Sequence, residues 1–128
     1  MPWEYEPDEK PKRKHAWDEP YPGFVEVRGE VVGKCPAGLS NDEARELLNQ
    51  GIAWTRPRSP SLGWPDAIYV VHAGAVYRAK PTNPGVSYHA FPETGERLRE
   101  VPRSLRRRIL DRARELGCEQ EVRRWMNA

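Results

Sequence analysis

Four residues able to do chemistry recur through the middle of this chain: Tyr77, Arg78, Tyr88 and His89 stand on apolar runs, and six arginines follow between Arg103 and Arg114. An imidazole moves protons near neutral pH, and a guanidinium stabilises an oxyanion that develops beside it. His89 and His72, with Arg78 and Glu93, therefore form a candidate catalytic set for metal-independent phosphodiester cleavage. The plainer alternative is that each histidine is a hydrogen-bonded member of a sheet. Alternation along a strand sends Tyr88 and His89 to opposite faces, so one of the two joins the core.

The arginines suggest a second kind of site. On a helix, Arg103, Arg107 and Arg114 fall close together, beside an apolar stripe of Leu105, Ile109 and Ala113. Guanidinium groups make bidentate contacts with phosphate, and an aromatic ring such as that of Tyr88 adds a stacking surface. An anion-binding face of Arg103, Arg107, Arg114 and Tyr88 is the expectation. Its competitor is a solvated helix face neutralised by Asp111 and Glu115 at helical spacing.

Other chemistries find less support. His72, His89, Glu93 and Asp66 do not match the spacing of metal ligands on one element, so no metal and no cofactor is expected. Cys35 and Cys118 are the only cysteines, too few for a disulfide framework or a four-cysteine zinc site. Cys35 has Lys34 beside it but no nearby histidine, and Cys118 follows a helix C-terminus, where the dipole disfavours thiolate. Gly33-Lys34 and Gly38 lack the spacing of a phosphate loop.

The elements that must position these groups fit one domain. The chain has 128 residues, and a formal net charge of +2 is too small to argue for nucleic acid by itself. Residues 1–22 hold five prolines interleaved with charge and with Trp3, Tyr5 and Trp17, which predicts an extended, disordered arm before a domain of 23–128. The aromatics mark that arm as able to dock on the domain or on a partner. The run Lys10–His15 reads as a solubilising charge run or as a basic patch.

Residues 24–27 and 30–33 predict a hairpin about Arg28-Gly29. Ser40 and Glu43 predict a capping box opening a helix over 41–50. Residues 54–65 read as a loop pinned by Trp54 and Trp64. A second hairpin, 67–72 and 75–80, turns at Ala73-Gly74, and 86–91 supplies a third strand. This register places Ile68, Val70, Tyr77 and Ala79 on one face with His72 at its end, and Tyr69, Val71, Val76 and Arg78 on the other. Pro102 opens a helix to Leu116, and 119–126 forms another. The fold class is α+β, a small antiparallel sheet packed against two or three short helices.

No apolar run approaches the roughly 20 residues a bilayer requires, and the charged N-terminus lacks a secretory apolar segment. A cytoplasmic protein with no membrane partner is expected. The leading functional expectation is a small binding module engaging nucleic acid or an acidic protein through an aromatic and arginine surface. A compact metal-independent ribonuclease or toxin is the enzymatic alternative. The third is a protein-interaction domain using the aromatic arm or the Trp54–Trp64 loop.

Overall fold

The strongest local signals sit at the turns. A computed structural model of the chain describes residues 3–6, 19–57 and 63–128, with Val27 described by its backbone alone. Ala73 and Gly74 both adopt positive φ, 50° and 84°, the pairing of a type I′ turn whose twist matches that of the strands it joins. It connects β5 (Ala67–His72) to β6 (Ala75–Asn83), with Val71 opposite Val76 and Val70 opposite Tyr77, as the sequence predicts. Arg28 and Gly29 repeat the geometry between β2 (Gly23–Val27) and β3 (Glu30–Lys34).

A mixed five-stranded sheet forms the centre, in the order β1-β7-β6-β5-β4, with β2–β3 as a separate two-stranded sheet. Strand β7 (Ser87–Pro92) pairs antiparallel with β6. Two strands depart from expectation. Glu4–Tyr5 form β1, parallel to β7, so the beginning of the arm belongs to the sheet and the sheet is not purely antiparallel. Ile52–Trp54 form β4, an edge strand on β5, where Trp54 was expected to begin a loop. The run Lys10–His15, Trp17 and part of the Trp54–Trp64 segment lie outside the described residues.

Among the described residues four helices cover the sheet: α1 (Asn41–Asn49), α2 (Gly95–Glu100), α3 (Arg103–Glu115) and α4 (Glu119–Met126). The Ser40–Glu43 capping box opens α1 as expected. Helix α2 was not anticipated; Thr94 caps it by accepting the Arg97 N–H. Alternation on the strands makes two cores. Tyr69, Val71 and Val76 pack with Leu98, Leu105, Ile109, Ala113, Val122 and Met126 from the helices. Ile68, Val70, Tyr77, Ala79 and Tyr88 pack on the other face with Leu48, and Trp3 and Tyr5 close over them. The antiparallel meander and the helices over it are an α+β fold. Among the described residues, no helix is long and apolar enough to cross a membrane.

Candidate functional site

Strand pairing decides which candidates share a face. Across β6 and β7, Lys80 opposes His89, Arg78 opposes Phe91, and Pro81 opposes Tyr88. Side chains two apart on a strand share a face, so His89, Phe91, Arg78 and Lys80 stand together, and Tyr88 stands behind them with Tyr77 and Ala79. His72 is on the Tyr88 side. It lines a small cavity of about 30 Å³ with Tyr5, Cys35, Val70 and Tyr77. The two histidines therefore lie on opposite faces of the sheet, and the expected catalytic set does not assemble as one group. His89, Arg78 and Glu93 share a side; His72 does not.

On the His89 side an open cleft of about 640 Å³ runs between hairpin β2–β3 and the β6–β7–α2 surface. Phe24 and Val31 line the hairpin wall; Lys80, His89, Phe91 and Arg97 line the other. The hairpin can sit this close because Gly33 packs on β7: a Cβ there would lie 2.7 Å from the carbonyl oxygen of Pro92. At its other strand the Phe24 ring rests 5.6 Å from that of Trp125. Trp125 in turn donates from its indole to the Glu93 carbonyl at 2.8 Å, tying α4 to the floor of the cleft.

Within the cleft His89 has its Nδ1 2.8 Å from Thr82 Oγ1. That contact fixes the ring's orientation, and the ring of Phe91 lies beside it with centroids 6.4 Å apart. Glu93 is buried at the end of β7, and its carboxylate accepts the Thr94 N–H at 2.9 Å and faces an Arg78 nitrogen at 3.7 Å. Arg78 is largely enclosed, and its Nε has no hydrogen-bond partner among the described residues. Burial raises the pKa of the neighbouring Tyr69 phenol, against the opposing effect of the Arg78 charge, so the ring stays neutral.

Charge in the cleft is mixed. Lys80 and Arg97 share the cleft with Glu30, Glu96 and Glu100, while Glu93 is occupied by Arg78 and Thr94. Among the described residues no three His, Cys, Asp or Glu side chains gather where they could hold a metal ion. Cys35 and Cys118 are buried in separate core clusters.

The expected anion-binding face is dispersed. Tyr88 is fully enclosed; its hydroxyl donates to the Pro65 carbonyl at 2.6 Å, Trp3 meets its ring edge-on at 5.4 Å, and burial pushes its pKa up to about 12. It has no surface on which a base could stack. Arg114 is bidentate to Glu119 at 3.1 and 3.2 Å and also meets Asp111 at 3.6 Å. Arg103 and Arg107 are exposed and have no ion pair among the described residues. None of the three lines the cleft.

The other three arginines of α3 hold the fold together. Arg106 donates to the Arg99 carbonyl at 2.7 Å, Arg108 to the Ala53 carbonyl at 3.2 Å, and Arg112 to the Gln50 carbonyl at 2.6 Å. The bond from Arg108 covers part of edge strand β4, whose outer groups would otherwise be open to pairing.

Lys80, Thr82, Phe91 and Arg97 were missed from sequence. Lys80 and Thr82 follow Arg78 at two-residue steps on one strand, which was signal enough; Arg97 was hidden because α2 was. No protein-family description, curated protein or solved structure matches this chain, so the site is read from its own geometry.

Proposed function

We propose that the protein is a small binding module that takes a single-stranded nucleic-acid segment in the cleft between hairpin β2–β3 and the β6–β7–α2 surface. The observation that carries this reading is the convergence of Lys80 and Arg97 in one open cleft flanked by Phe24 and Phe91. Cations that meet phosphates beside rings that stack on bases are the two parts such binding needs. The carboxylates Glu30, Glu96 and Glu100 oppose a long polyanion but accept hydrogen bonds from exocyclic amino groups of exposed bases. A duplex, with its denser charge and stacked bases, fits these walls less well than a single strand.

The test is fluorescence anisotropy with a short labelled single-stranded RNA at 50 and 200 mM salt. Two or three phosphate contacts weaken single-strand binding by about 7- to 20-fold over that range. Lys80→Glu with Arg97→Glu is expected to remove binding, whereas Arg103→Glu with Arg107→Glu leaves most of it. The reverse pattern would move the interface to α3. No binding at low salt would remove nucleic acid as the partner and favour an acidic protein.

A further inference from the structure

Resting on that reading, we infer that the cleft also cleaves the RNA it binds, by attack of the ribose 2′-oxygen on the adjacent phosphorus. His89 is the group in the cleft whose ordinary pKa lies near neutrality, and the Thr82 hydroxyl at Nδ1 holds its ring in place. Lys80 stands directly across the strand pair from it, a separation of roughly 5 Å between Cβ atoms. Two proton-carrying side chains at that spacing can flank a single phosphodiester. Arg97 lines the same wall.

In the step, His89 takes the proton of the 2′-hydroxyl, and the 2′-oxygen forms a bond to phosphorus. The bond from phosphorus to the 5′-oxygen of the next nucleotide breaks, and that oxygen takes a proton from the Lys80 ammonium. The products are a 2′,3′-cyclic phosphate and a 5′-hydroxyl; water then returns the proton from His89 to Lys80. No oxidant, reductant or external nucleophile is consumed. Arg97 balances the negative charge that gathers on the phosphoryl oxygens in the transition state. Glu93 is a positioning residue: nearly enclosed and engaged by Arg78 and Thr94, it holds the floor of the cleft. DNA lacks the nucleophile and should bind without being cut.

The experiment incubates the full chain with a single-stranded RNA labelled at both ends, in the presence of EDTA, and identifies the product termini. Cyclic-phosphate ends are expected, and a strand carrying a single 2′-deoxyribose at the cut position should survive while binding equally well. His89→Ala, prepared identically and checked by circular dichroism, should lose about 100-fold or more of the rate and keep its RNA affinity within a few-fold. If that variant fails to fold, Lys80→Ala, at an exposed position, is expected to bind RNA more weakly and also to lose rate when RNA is saturating, so that the loss of cleavage is read apart from the loss of affinity. Thr82→Val should shift the pH profile of cleavage rather than abolish it. RNA that binds but stays intact overturns the cleavage and leaves the binding reading standing, whereas absence of binding removes both. Cleavage that EDTA abolishes, or that His89→Ala retains, overturns the mechanism.

Discussion

Arg112 reaches from α3 to the carbonyl of Gln50, 2.6 Å away, and gives the C-cap of α1 the cationic donor that its own last turn lacks. The carbonyl end of a helix carries partial negative charge and unsatisfied acceptors, so a guanidinium placed there both bonds and balances it.

Arg112→Met keeps the aliphatic stem and removes that donor, and should cost about 1–2 kcal/mol of stability. Arg107→Met, on the exposed part of the same helix, should stay within about 0.5 kcal/mol. Urea melts of the two variants compare them directly. Equal effects would show that the arginines of α3 act only through general charge.

Removing the first six residues should lower the melting temperature, although an extended, disordered arm was expected there. Trp3 exchanges two hydrogen bonds with Asn49, from its N–H at 2.6 Å and to its carbonyl at 2.9 Å, and covers Tyr88. Trp3→Ala should cost about 1–3 kcal/mol through lost burial and lost ring contact. Calorimetry that finds both variants as stable as the full chain would show that Trp3 and β1 add nothing to the domain.

Acid should weaken the α3–α4 connection over a defined range. Hydrogen bonds from Arg114 and then Arg123 hold the Glu119 carboxyl at about 2, below its ordinary 4.5. A depressed folded-state pKa adds stability that is fully present above 4.5 and is lost as the pH falls through 2. Glu119→Gln should therefore be less stable than the parent at pH 7, with the difference narrowing below pH 4.5. Thermal melts by circular dichroism across that range check it; a constant difference would remove Glu119 as the acid-sensitive group.

Much of the fold was legible because its signals are local. The Ala73-Gly74 turn set the register of β5 and β6, Ser40 and Glu43 marked the start of α1, and Leu105, Ile109 and Ala113 marked the buried stripe of α3. Strand β1 was not legible because two residues in a proline-rich arm carry no alternation, and β4 and α2 are too short to show a period. The site was harder to read for a related reason. Deciding that His72 and His89 face opposite ways needs the β6–β7 register, which shifts between Pro81 and Asn83. Nor could spacing alone show that Arg108 and Arg112 spend their charge on carbonyls far away in the chain, or that Tyr88 is the enclosed partner of Trp3.

The pairing of β1 with β7 also sets an order of assembly. Glu6 and Ser87, which it brings into hydrogen-bond contact, are 81 positions apart, whereas β5, β6 and β7 meet their chain neighbours through short turns. Closing a long loop costs more chain entropy than closing a short one. Trp3 and Tyr5 are made before β7 and stay unplaced until β7 has left the ribosome and joined β6. Tyr88 stays uncovered through that interval, which makes the docking of β1 the step that seals the second core.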